Sequence, residues 1–392
     1  MKEREVVRSN PSRRRNIIAA VIMAVLFISI FVFVPYLFKS MYPGSSDIVI
    51  RRTAAKMLNK EPDELTNADF KQIIRLDFSG KKLSNIRLLR KFKNLQELNL
   101  SDLPDTAKPK PIWRAFLEKL HILKPRSYTV NWSGGMSTGR GPGPSTIITL
   151  DKNSIDLSPI RKLSDLRKLD LNLTNFENIK SLKDLDNLTE LNLAGTAFSD
   201  LKQIKGLKNL QKLNLGGTQI LDLELIRAHA NLSQLSLSST AIEDFSPLRT
   251  LTKLEVLHLS QTSITELSPL EELVNLKELD LGYSNIADIE PIKGLTELEI
   301  LNLGSTQVSD LTPLKGLINL KKLFLNGTQV SDLEPIKDFA KLQELVLFNT
   351  QVSDLEPIKN LSNLKSLWLG MDVEEQQIND LKTVLPNLKI HQ

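Results

Sequence analysis

The sequence predicts an α/β repeat solenoid of about 14 short parallel strands, preceded by one transmembrane helix. Three observations carry that expectation. Over more than half of the 392-residue chain a leucine recurs at intervals of about 22 residues, a period in the range of stacked repeat architectures. An uncharged apolar run of helix-spanning length sits near the N-terminus, behind a basic tail. Charge is otherwise balanced and titratable residues do not cluster, as befits a scaffold more than a reaction site.

The tail comes first. Residues 1–15 hold Lys2, Arg4, Arg8, Arg13, Arg14 and Arg15 against Glu3 and Glu5, a net of +4 out of +5 for the whole chain. A nucleic-acid binder would concentrate positive charge on its folded body. Here it concentrates in a tail, so it reads as a topology signal and no nucleic-acid partner is expected. Residues 16–39 form the predicted span: Ile17 to Phe38 contains no charged residue. At 1.5 Å per residue such a run reaches about 33 Å, enough for a hydrocarbon core of roughly 30 Å. Arg13, Arg14 and Arg15 abut its near end, which keeps the N-terminus in the cytoplasm and exports the rest. A cleaved signal peptide is the alternative. The run is long for one, and Phe38-Lys39-Ser40-Met41-Tyr42-Pro43 offers no small-x-small cleavage pattern, so an uncleaved anchor in the cytoplasmic membrane is favoured.

The repeat follows. Leu169, Leu191, Leu213, Leu235, Leu257, Leu279, Leu301, Leu323, Leu345 and Leu367 succeed one another at a constant spacing, each with a leucine two positions on. Such pairs form the inward face of a short strand, because alternate side chains share a face. In the unit at Leu301 the apolar stripe continues through Leu303, Val308, Leu311, Leu314, Leu317 and Leu320. One unit cannot enclose that stripe, but stacked units bury it as a continuous core. A column of small hydroxyls (Thr174, Thr196, Thr218, Thr240, Thr262, Ser284, Thr306, Thr328, Thr350) is expected to bond to the turn backbone of neighbouring repeats. Runs such as Asp310-Leu311-Thr312-Pro313 start the outer segments, where acid and proline suit the opening of a helical turn. So short a repeat leaves room there for a 3₁₀ turn, not a full helix.

With this repeat the chain resembles the short-repeat bacterial leucine-rich-repeat proteins, including internalin-like proteins and relatives of the leucine-rich-repeat phosphatase regulators. The resemblance covers about residues 47–392 and implies a leucine-rich-repeat horseshoe. It implies no particular ligand, because the matching residues are the scaffold. On this reading residues 40–75 are a linker and a helical N-terminal cap, with helices over 46–59 and 66–74, the second opened by Thr66-x-x-Asp69. The solenoid occupies 76–392 and ends in a cap over about 372–392, with a helix over 374–384 and a last strand over 385–390. Upstream, Leu76, Leu98 and Ile148 extend the strand series. The long interval between Leu98 and Ile148 marks an insertion at about 103–145, helical at first and then rich in Gly, Pro and Ser. It reads as a flexible excursion or, alternatively, a partner-binding loop.

Chemistry is sparse. There is no cysteine, which excludes disulfides, thiolate catalysis and Cys-ligated metal. Four histidines, at 121, 229, 258 and 391, share no metal-ligand spacing, and His229 stands where other repeats have leucine. No nucleophile, base and orienting group fall into a catalytic order. The chain is therefore expected not to be an enzyme and to need no cofactor or metal. Residues flanking the inward leucines face the concave surface. One column runs from Asp170 and Asn192 through His258, Asp280 and Asn302 to Phe324, Val346 and Trp368, and neighbouring columns add Ile300 and Phe348. Ile300, Phe324, Val346, Phe348 and Trp368 are the candidate binding residues, since a contiguous apolar patch with aromatics is the form of a protein-binding hot spot. Coverage by the C-terminal cap is the competing expectation. The expected role is capture of a protein or an envelope polymer. A structural envelope component without a discrete ligand is the alternative.

Overall fold

The computed structural model describes residues 46–83, 85–102, 154–371 and 373–392. Among these, thirteen short strands, from Arg75–Asp77 to Lys389–His391, hydrogen-bond in chain order into one parallel sheet. A strand so short has too few hydrogen bonds to persist alone, so each is held by the repeats on either side. The register is uniform: Leu279 pairs with Leu257 and Leu301, and Leu323 with Leu301 and Leu345. Each of these leucines is fully buried. So are Leu303, Val308, Leu314, Leu317 and Leu320 of one unit, so the core runs as a single apolar rod between sheet and outer turns.

The outer segments are 3₁₀ turns, as the repeat length predicts, among them Thr312–Gly316, Glu334–Ile336 and Glu356–Ile358. Asp310, Asp332 and Asp354 accept the backbone N–H two residues on, at 2.8–2.9 Å, and so start these turns. The hydroxyl column departs from expectation. Thr196, Thr218, Thr240 and Thr306 donate to the carbonyl three residues back within their own repeat, at 2.5–2.6 Å, and only Thr174 reaches the preceding repeat, at Leu100 O. The side chain sits too deep in its own turn to span the gap between repeats. Asparagines bridge that gap instead: Asn187, Asn209, Asn275, Asn319 and Asn363 donate to a carbonyl of the previous repeat at 2.7–2.9 Å.

The N-terminal cap comprises helices α1 (Ser46–Leu58) and α2 (Asn67–Gln72). Thr66 and Asp69 close the anticipated capping box, and Phe70 meets Phe92 of the first repeat edge-on at 4.9 Å. Lys60, 2.7 Å away, together with the Thr66 donors, holds the Asp69 carboxyl down at about 2. At the other end α3 (Glu375–Val384) buries Ile378 and Leu381, and Gln377 ties it to the backbone of Ser353 and Leu355.

Leu98 pairs directly with Leu169, and Ile148 and Leu150 lie outside the described residues. The excursion departs after Asp102, whose N–H donates to Asn172 O, and returns by Ile155, whose N–H donates to Asn175 O. Both ends are thus fastened to one short stretch of the next repeat. Ile155–Asp156 then pairs with Phe176–Glu177 as a separate two-stranded sheet. The basic tail, the 16–39 span and the body of the insertion lie outside the described residues. Among the described residues no helix is long and apolar enough to cross a membrane.

Candidate partner-binding surface

The concave face is built from the residues that flank each inward leucine. Just C-terminal to the leucine, Asp77, Asn99, Asp170, Asn192, Asn214, Asp280 and Asn302 each accept the backbone N–H two residues on, at 2.8–3.1 Å. These side chains hold the turn that leaves the strand, at a net gain of about 0.5–1.5 kcal/mol each. The same column continues, by register, through Phe324, Val346, Trp368 and His391. Phe324, Val346 and Trp368 have no oxygen to offer, so three successive repeats forgo the turn bond.

Strands about 4.8 Å apart bring Phe324, Val346 and Trp368 side by side. Their exposures differ. Phe324 is half-buried, Val346 is 6 % exposed and Trp368 is 40 % exposed. Phe348, two residues beyond Val346, is also 40 % exposed. Val346 is therefore the floor of the patch and the three aromatics its surface. The cap helix is tied to the outer side of the rod at Ser353 and Leu355, leaving Trp368 open. Ile300 lies in the other flanking column, paired with Glu278 and Lys322. Two members escaped the sequence pattern. Met371 is 86 % exposed on the turn after Trp368, and His391 stacks on the Trp368 ring at 4.0 Å and 14°. The last repeat is one residue longer than the others, pairing Leu367 with Ile390, so counting by the regular period misses the histidine.

The N-terminal half of the same face is polar. Arg75, Glu97, Lys168, Glu190 and Lys212 alternate in sign along one column, with N–O distances of 3.1–3.8 Å. These pairs are solvent-exposed and each contributes little. His258 contacts Glu278 at 3.0 Å, not Asp280, whose carboxylate is occupied by Gly282 N and Asn302 Nδ2. His229 is fully buried in the core, its Nδ1 3.1 Å from Leu207 O and its Nε2 without a partner. Burial pushes its pKa below the ordinary value. Among the described residues no group of three His, Asp or Glu could hold a metal ion.

The family model for leucine-rich repeats in tandem copies matches residues 230–272, 274–316, 296–338 and 318–360. Over those residues the chain carries tandem leucine-rich repeats. In fold the repeats resemble those of internalins. An internalin of Listeria monocytogenes, InlF, superposes with a TM-score of 0.58 at 24% identity, covering 85% of this chain and 97% of that one. A leucine-rich-repeat protein of Leptospira interrogans gives 0.52 at 20% identity, over 83% and 97%. The functional domain of InlJ from Listeria monocytogenes gives 0.53 at 14% identity, over 90% and 80%. At these identities the likeness establishes the fold. No curated protein matches the chain. Leucine-rich-repeat proteins in general mediate protein–protein binding, and such fold neighbours are typically not enzymes.

Proposed function

We propose that this chain is a membrane-anchored binding protein that captures a partner protein on the C-terminal end of its concave face. The observation that carries the reading is the exchange of turn-holding Asn and Asp for Phe324, Val346 and Trp368 in three successive repeats. Each exchange gives up the local turn bond, as at Ser236 and His258, and here sets an apolar side chain on or beneath an exposed surface. Phe348 and Met371 widen the same apolar area. The basic tail and the uncharged run from Ile17 to Phe38 support an anchor in the cytoplasmic membrane, N-terminus inside and repeats outside.

A photo-crosslinking residue at Phe348 in intact cells tests the binding surface, with one at Lys315 on the outer face as control. A discrete adduct is expected from position 348 and not from 315. Adding Phe324→Ala and Trp368→Ala should reduce that adduct at least tenfold while leaving the melting temperature unchanged, since loss of a central aromatic costs about 2 kcal/mol or more in binding. Adducts of equal yield from both positions, or one indifferent to the double substitution, would refute the reading.

A further inference from the structure

The 3₁₀ turns stack along the convex face, and their charge is not uniform along it. The fourteenth residue after the first strand leucine is a cation in nearly every repeat, which suits the C-terminal end of a helical turn. In four of the later repeats the eleventh residue is a glutamate that pairs with that cation: Glu224 with Arg227, Glu290 with Lys293, Glu334 with Lys337, Glu356 with Lys359. The first four turns have Arg87, Ser158, Lys180 and Lys202 at this position instead. Over nine-residue windows from Ile86, Leu157, Ile179 and Leu201, these turns carry a net charge of +8. The corresponding windows of the seven later turns sum to zero. The first turn alone presents four exposed cations and no carboxylate, and the fourth presents Lys202, Lys205 and Lys208. A body that is nearly neutral as a whole is therefore polarised along its length.

The basic end is also the tethered end. Only residues 40–45 separate the proposed span from α1, at most about 20 Å of extended chain. That tether holds the first turns, and not the later ones, within reach of the headgroups. We propose that the outer face of the first four repeats docks on anionic phospholipid headgroups. Basic segments beside a membrane span are attracted to such a surface within a Debye length. The concave face is then turned away from the bilayer, and the strand of Trp368 stands roughly 50 Å from the first strand along the rod. The inference rests on the membrane-anchored reading, and the two can fail separately.

The test uses the full chain with two kinds of vesicle, followed by flotation and by acetylation rates of single lysines. One kind is phosphatidylcholine alone; the other adds about 30% phosphatidylglycerol, enough anionic lipid to give the surface a negative potential. The expected result is flotation with both vesicle types at any salt. Acetylation of Lys91, Lys202 and Lys205 should be at least fivefold slower on the anionic vesicles, and Lys315 and Lys359 should be unaffected. At about 0.5 M salt, where screening shortens to a few ångströms, the protection should vanish. Flotation with anionic vesicles alone, reversed by salt, would remove the anchor and keep the docking surface. Flotation with both at equal lysine reactivity would overturn the docking and keep the anchor. Flotation with neither would overturn both. Protection by soluble polyphosphate and none by vesicles would overturn it in favour of an anionic polymer.

Discussion

Among the described residues His229 holds the one buried side-chain nitrogen with an unmet partner, and its replacement by leucine should stabilise the fold in a pH-dependent way. The site accepts leucine: Leu207 and Leu251 occupy the same place in adjacent repeats, both essentially inaccessible. The substitution removes the orphaned Nε2, whose burial costs roughly 1–3 kcal/mol. It also removes the donor to Leu207 O, worth about 1 kcal/mol, although that carbonyl keeps the Leu210 N–H at 3.4 Å. At pH 7.5 the net gain is about 1 kcal/mol. Below 6.5 the unfolded chain binds a proton on this ring more readily than the folded chain, whose pKa burial lowers. Stability is therefore complete above that value and falls as pH drops toward the folded pKa, by up to about 1.4 kcal/mol per unit. The gain from His229→Leu should accordingly be larger at pH 5.5 than at pH 7.5. Urea unfolding followed by far-UV circular dichroism at both pH values reads the difference, with other titrating groups common to both chains. If the wild-type chain and the variant lose the same stability between the two pH values, the account of His229 is wrong.

Other expectations follow from single contacts. Leu279→Ala, at a fully buried strand position, should cost about 2–5 kcal/mol in the same unfolding assay. Thr306→Val keeps shape but leaves Leu303 O without its hydroxyl donor, for a loss of about 1 kcal/mol. Thr66→Ala opens the capping box and should cost about 1 kcal/mol, read as faster amide exchange confined to α1, α2 and the first strand. Asn319→Ala cuts one bridge between repeats, and exchange should quicken at Thr296 and its neighbours but not at the N-terminal cap.

The strand positions were legible because so strict a period leaves leucine few alternatives: one slip would turn the whole stripe outward. Phe324, Val346, Phe348 and Trp368 were legible for the same reason, since columns follow from period alone. The hydroxyl column was identified correctly and its bonding was not, because reach across a repeat depends on side-chain depth. The asparagine bridges, though repeated along the rod, carry no signal that separates them from ordinary turn residues until the next repeat is beside them.

What the sequence determined by itself is the rod: its period, its parallel strands, its short outer turns and the helices that close its ends. Local spacing encodes all of these, because each repeat meets only its neighbours. Tertiary structure alone decided the pairing of Leu98 with Leu169 across the long excursion and the stacking of His391 on Trp368 after a lengthened repeat. Each depends on which strand stands beside which, and hydrogen-bond register fixes that where the period breaks.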